Sequence, residues 1–204
     1  MKALTPPMGF NTWNRFLGAN NMPDWEAITH KSVVDLAKAL VESGMKDAGY
    51  EYFVMDDGFQ GYARDSRGRV QGHARRFNPG VEELVAEVKS LGLKMGIYAV
   101  PGRFTCGQQY QDYHGLDLGS LGFEDIDAQA FADWGIDYLK YDWCRAHIND
   151  GLDAPAAFRK MADALAKYAP EIKIPRAGSP EWQKTILTQL RRFSSEQQQI
   201  GRAS

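Results

Sequence analysis

Ile136-Asp137-Tyr138-Leu139-Lys140-Tyr141-Asp142-Trp143-Cys144-Arg145 is the stretch on which the reading of this chain turns. Its first six residues are rich in β-branched and aromatic types, which predicts a buried strand, and the run stops at an acid followed by tryptophan, cysteine and arginine. Two upstream runs have the same form. Tyr50 to Met55 reads as a strand ending in Asp56-Asp57-Gly58-Phe59-Gln60, and Leu93 to Val100 as a strand ending in Pro101-Gly102-Arg103-Phe104-Thr105-Cys106.

A helical stretch precedes each run. Asp24 is the expected cap of a helix whose apolar positions Ile28, Val33, Val34, Ala37, Leu40 and Val41 recur at helical spacing, with Gly44 near its end. Pro79 is expected to open the next helix, carrying Val81, Leu84, Val85 and Val88 and stopped near Gly92. A third helix is expected around Asp125 to Trp134, ended by Gly135, and a fourth from Pro155 to Tyr168.

Strands separated by single helices require crossover connections and a parallel sheet, either an open doubly wound sheet or a (β/α)8 TIM-type barrel. The polar, aromatic and glycine-rich strand ends favour the barrel, which gathers such ends at the face where active sites sit. No glycine-rich phosphate loop follows any of the strands, so a dinucleotide cofactor has no support, and no cofactor or metal is expected. A complete barrel takes about 250 residues, whereas only about four strand-helix units can be counted here. The expectation is therefore a truncated barrel over residues 1–172, followed by a polar, partly disordered tail over 173–204 with a weak helix from Glu181 to Arg192.

Composition narrows the function classes. Hydrophobic residues make up 44 % of the chain, enough to bury a core, and the net charge of -2 comes from interleaved signs without a basic stripe for a nucleic-acid backbone. The longest apolar runs fall far short of the roughly 20 residues of a membrane helix. The start runs from Met1-Lys2-Ala3-Leu4 into Thr5-Pro6-Pro7 without an apolar signal segment, which points to the cytoplasm, or to export with the signal removed.

The strand ends hold the candidates for chemistry. Lys140 lies two residues before Asp142 and so on the same strand face, where its ammonium would keep a nucleophilic carboxylate ionised; a structural ion pair is the equal alternative. Asp56 and Asp57 are adjacent acids that need partners such as sugar hydroxyls or a metal, and Gly58 lets the chain bend so that both can face one side; an acidic loop pair is the plainer reading. Trp13 fits either core packing or a wall of a sugar site. The histidines His30, His73, His114 and His147 lack metal-binding spacing and receive no role.

Taken together, these segments resemble glycoside hydrolase family 27, the α-galactosidases or melibiases, from about Thr5 to about Cys144. Thr5-Pro6-Pro7-Met8-Gly9-Phe10-Asn11-Thr12-Trp13 is similar to the family's opening strand, and Gly44 to Tyr50 with Asp56-Asp57-Gly58 to its second strand and substrate-binding acids. Arg64 to Arg69 with Arg76 to Gly80 is similar to the following loop, Gly96-Ile97-Tyr98 with Thr105-Cys106 to the third strand, and Asp137 to Cys144 to the nucleophile strand. The resemblance implies a retaining hydrolase acting on α-galactoside oligosaccharides or glycoconjugates. Asp142 would be the nucleophile, Lys140, Asp56 and Asp57 would contact the sugar, Trp13 would pack against its ring and Tyr98 would lie near the nucleophile. It also implies a Cys106–Cys144 disulfide, which favours an oxidising compartment; free buried thiols are the alternative in a reducing one.

Retention requires a second carboxyl about 5 to 5.5 Å from the first. No acid/base is found: in the family it comes from a later strand, and Ile172-Lys173-Ile174-Pro175-Arg176-Ala177 stands where the next strand should begin, with Glu181-Trp182 an unconvincing remnant behind Pro180. The expectations are impaired activity and self-association through exposed barrel edges. The competing reading is a non-catalytic galactose-binding chain or a half-barrel that depends on a partner.

Overall fold

The computed structural model describes residues 7–16 and 24–174. Four strands, β1 (Gly9–Asn11), β2 (Tyr52–Met55), β3 (Lys94–Ala99) and β4 (Tyr138–Tyr141), form one sheet in the order β1-β2-β3-β4, and every pair is parallel. Between and after them run α1 (Trp13–Phe16), α2 (His30–Glu42), α3 (Val81–Ser90), α4 (Cys106–Tyr110), α5 (Glu124–Asp133), α6 (Ala146–Asn149) and α7 (Ala154–Tyr168). The predicted alternation is therefore present, each strand being followed by one of the longer helices α2, α3, α5 and α7.

Period-two alternation gives the sheet two faces. Phe53, Met55, Met95, Ile97 and Leu139 are fully buried in one large core with Val33, Leu84, Val88, Phe131 and Phe158 of the helices. Tyr52, Val54 and Tyr138 form a separate cluster on the opposite face, where the Tyr52 and Tyr138 rings meet edge to face at 5.9 Å. Beyond β4 the chain starts another parallel rung. The Lys173 N–H donates to Asp137 O at 3.0 Å and the Leu139 N–H to Lys173 O at 2.9 Å, so the run beginning at Ile172 docks where the next strand was expected.

One helix start differs from expectation. Asp24 accepts from the Ala27 N–H at 3.2 Å, but it caps only a single 3-10 turn, Trp25–Ala27. Ile28 is then extended, and α2 starts under a new cap in which Thr29 and Ser32 hydrogen-bond each other reciprocally. Two cap-forming residues five positions apart competed, and the one with the reciprocal partner took the long helix. Pro79 stands two residues ahead of α3, whose first turn carries Glu82 and Glu83; Asp153 caps α7 and Pro155 lies in its first turn.

The long segment between β2 and α3 is pinned by a buried pair. Arg64 donates to both carboxylate oxygens of Asp127 in α5, at 2.5 and 2.9 Å, and to Gly68 O and Gly119 O. The helix expected over 181–192, the polar tail and the Thr5-Pro6 part of the opening motif lie outside the described residues. Among the described residues no helix is long and apolar enough to cross a membrane.

Candidate active site

Parallel strands in register deliver their C-terminal ends to one place, and four clusters of polar residues meet there. β1 ends in Asn11, whose Nδ2 donates to Asp56 Oδ2 at 2.5 Å. The next residue, Thr12, is buried, and its hydroxyl accepts from the Asp56 N–H at 2.9 Å. β2 delivers Asp56 and Asp57, 1 % and 2 % exposed. Their mutual problem is solved by backbone donors. Asp57 N–H donates to Asp56 Oδ1 at 2.8 Å, Gly58 N–H to Asp57 Oδ1 at 2.9 Å, and Gly107 N–H to Asp57 Oδ2 at 2.7 Å.

The bend that allows this is at Gly58, with φ of 96°. A Cβ there would lie 2.6 Å from the Trp25 ring, so the indole occupies the space that a side chain would need. The edge of the same ring would be 3.1 Å from a Cβ at Gly107, beside Asp57 Oδ2, and the ring stands 6.3 Å from Trp13. Trp13, half-buried in α1 with its backbone N–H on Asn11 Oδ1 at 2.9 Å, thus belongs to an aromatic wall beside the acid pair.

β4 places Lys140 and Asp142 on the same side, as the two-residue spacing requires. The Lys140 ammonium donates to Asp56 Oδ2 at 2.6 Å and lies 3.5 Å from Asp142 Oδ2 and 5.2 Å from the centre of the Tyr98 ring. Burial works against its charge, but the carboxylates of Asp56 and Asp142 outweigh burial and hold its pKa above the ordinary lysine value. The Asp142 side chain is 41 % exposed, against 1 % for Asp56, so it is the open carboxylate of the group. Its backbone N–H is held by Ala99 O at 2.9 Å, and its Oδ1 accepts from the Trp143 N–H at 2.9 Å.

Cys106 and Cys144 are joined, with Cα atoms 5.2 Å apart. The Asp142 carboxylate lies within 4.8 Å of both sulfurs, and because these are committed to each other the trio is not a thiolate metal site. Tyr98 connects the bridge to the sheet: its hydroxyl accepts from the Cys106 N–H at 3.0 Å and lies 3.3 Å from Cys144 Sγ.

Burial sets the electrostatics of the interior groups. Asp57 is pushed from an ordinary 3.8 up to about 6, first by burial and then by the neighbouring Asp56, against the opposing hydrogen bonds from Gly107 and Gly58. Burial, with Asp57 and Asp142 nearby, drives the Tyr98 phenol well above its usual range, so it is a neutral hydroxyl.

All eight residues singled out in the sequence come to this end of the sheet, while three contributors were not foreseen: Asn11, Thr12 and Trp25. Asn11 and Thr12 end β1 as Asp56 and Asp57 end β2, and that parallel was the signal that could have marked them. A surface cavity of about 870 Å³ lies elsewhere, between the 65–80 segment, the start of α3 and α5, and none of the eight lines it. His147 stacks on Trp143 with rings 8° apart, and its Nδ1 accepts from the indole N–H at 2.9 Å.

The chain is similar to known proteins over most of its length. The family model described as alpha galactosidase A matches residues 5–197. Human α-galactosidase A is 40 % identical over 202 residues, covering 94 % of this chain and 43 % of the human protein. The crystal structure of α-galactosidase I from Mortierella vinacea superimposes with a TM-score of 0.71 at 36 % identity, over 85 % of this chain and 41 % of that one. A Saccharomyces cerevisiae α-galactosidase solved with raffinose gives 0.70 at 28 % identity, over 85 % and 35 %. The chain spans less than half the length of these relatives, and its four parallel strands are the corresponding part of a (β/α)8 barrel.

Proposed function

This chain belongs to the α-galactosidases of glycoside hydrolase family 27, and from that membership we propose that it serves the release of terminal α-D-galactose with retention, Asp142 being the nucleophile. The observation that carries the proposal is the contrast between carboxylates at one strand-end cluster: Asp56 and Asp57 are buried and hydrogen-bonded, while Asp142, 3.5 Å from the same ammonium, is open.

Each side chain has a task in this account. Asp142 attacks the anomeric carbon and forms a covalent galactosyl ester, with the Lys140 ammonium 3.5 Å from its carboxylate. Asp56, with Oδ2 already taken by Asn11 and Lys140 and Oδ1 by a backbone N–H, is suited to accept a sugar hydroxyl rather than to shuttle a proton. Asp57 accepts a second hydroxyl, best when ionised. Trp13 lines the apolar side of the ring, and the neutral Tyr98 holds the disulfide rim beside Asp142. The proton for the leaving oxygen must come from a second carboxyl about 5 to 5.5 Å from Asp142, which we assign to the barrel strands that follow β4.

The β1 edge of the described sheet, and a β4 edge that pairs only with the Lys173 rung, favour a second reading, in which the chain binds galactose and needs further strands for turnover. Hydrolysis of a chromogenic α-galactoside by the purified chain and by Asp142→Ala, with galactose binding measured on both, separates the two. Turnover lost in Asp142→Ala supports the hydrolase; binding by both chains with turnover by neither supports the second reading. Absence of both activities from the folded chain overturns both.

A further inference from the structure

The turn that follows Asp142 is held from α4 by a side chain to which the proposed chemistry gives no task. Cys144 and Arg145 have φ of 32° and 57°, a left-handed pair that residues bearing a Cβ adopt rarely and that persists only when surrounding contacts impose it. The disulfide is one such contact. Gln109 is another, and it grips the same residue: its Nε2 donates to Cys144 O and, at 3.0 Å, to Phe104 O, while its Oε1 accepts from Asn149 Nδ2 at 2.7 Å. One amide thus joins the loop after β3 to both ends of the α6 turn. The Arg103–Asp150 pair, with Nε to Oδ1 at 2.7 Å, fixes the far end of α6 but does not reach Cys144.

We propose that Gln109 is a positioning residue for Asp142, clamping the Cys144 carbonyl so that the Asp142–Arg145 turn keeps its left-handed shape and presents Cys144 to Cys106. Asp142 stands two residues before the clamped carbonyl and its N–H is held by Ala99 O, so the turn, together with the Lys140 ammonium 3.5 Å away, sets where its carboxylate points. A turn preformed by Gln109 raises the effective concentration of the two thiols and makes their bridge harder to reduce. The same preformation holds the carboxylate in place when the cysteines are reduced, so that the site tolerates either redox state. The catalytic half of this inference rests on the nucleophile assignment above; the clamp itself does not.

The test uses the whole chain as wild type, Gln109→Ala and Gln109→Glu, the last keeping length and the Asn149 contact while removing both donors. The fraction of Cys106–Cys144 bridge is read by thiol labelling against the ratio of reduced to oxidised dithiothreitol, which requires no turnover. The expected result is that both variants open at a ratio about tenfold lower than wild type, equivalent to about 30 mV. Equal midpoints in all three proteins, even with lowered thermal stability in the variants, would overturn the clamp. Kinetics on an aryl α-galactoside then address Asp142: kcat is expected to fall about tenfold in the variants with KM within about twofold, and the loss to deepen on reduction, whereas wild type changes little on reduction. An unchanged kcat beside a shifted midpoint would overturn the positioning role. Turnover absent from the folded wild type is what a missing second carboxyl predicts; the positioning of Asp142 is then read from the rate of galactosyl-ester formation with a dinitrophenyl α-galactoside, expected to be about tenfold slower in both variants, and an equal rate would overturn the positioning role.

Discussion

Lys140 makes its shortest ion-pair contact with Asp56, at 2.6 Å, across the inner face of the sheet from β4 to the end of β2. Asp142, on its own strand, is the more distant partner at 3.5 Å. One ammonium therefore pairs with a buried acid and lies beside an open one. Lys140→Met would leave the buried Asp56 charge, among the described residues, with Asn11 Nδ2 and the Asp57 N–H as its hydrogen-bond donors. The expected cost is about 3 kcal/mol, the low end for a broken buried pair because Lys140 is itself partly exposed. Urea unfolding of the variant measures it, and a loss under about 1 kcal/mol would mean that Asn11 and the backbone suffice.

Asp57 makes stability depend on pH in a particular direction. Its folded pKa of about 6 lies above the ordinary 3.8, so between these values the folded chain binds a proton that the unfolded chain has released. Its contribution therefore falls as pH rises from about 4 to about 6 and is level above that, by roughly 3 kcal/mol. Asp57→Asn removes the dependence, so the variant should gain on wild type by about that amount between pH 4 and 7 in parallel unfolding curves. A constant difference would show that Asp57 is ionised throughout.

Gly58 and Gly151 separate backbone strain from crowding. Both have positive φ, 96° and 65°, but a Cβ at Gly58 meets the Trp25 ring at 2.6 Å, whereas at Gly151 no atom of the described residues lies within 4 Å. Gly151→Ala should cost about 1 kcal/mol and leave sugar binding alone. Gly58→Ala should cost about 3 kcal/mol, because overpacking adds to the strain, and should weaken binding by displacing Trp25 and the acid pair. Equal costs in thermal unfolding would show that Trp25 moves aside freely.

Arg64 and Asp127 are almost fully buried and bidentate, and burial acts on Asp127 more strongly than the guanidinium, so its pKa is raised despite the pair. Removing either partner alone should cost about 3–5 kcal/mol, while Arg64→Met with Asp127→Leu should cost much less than the sum. A double-mutant cycle measures the difference, and additive losses would deny the coupling.

What the sequence revealed was local. Each strand and the acids at its end lie within ten residues, so β-rich runs closing in Asp56-Asp57 or Asp142 could be read without knowing the neighbours. The family resemblance then implied the Cys106–Cys144 bridge, which spacing alone could not choose over free thiols. Partnerships across strands were not legible. Nothing near Lys140 in sequence points to Asp56, 84 positions away, and the spacing of Asp142 suggested the nearer residue as the main partner. Asp24 and Thr29 are both plausible caps, and only the reciprocal bond with Ser32 decides for Thr29. α1, α4 and α6 are too short for periodicity to register, although α4 carries both Cys106 and Gln109.

The most direct measurement of the central claim uses an α-galactoside with a dinitrophenolate leaving group, which departs without protonation and so frees the first step from any need for a general acid. Rapid mixing with the chain, quenching in acid and peptide mass analysis should show a burst of phenolate of up to one equivalent. The galactosyl unit should be esterified to the peptide containing Asp142, and Asp142→Ala should give neither. A galactosyl unit on another carboxylate, or hydrolysis that releases the inverted sugar with no adduct, would contradict the assignment of Asp142 as nucleophile.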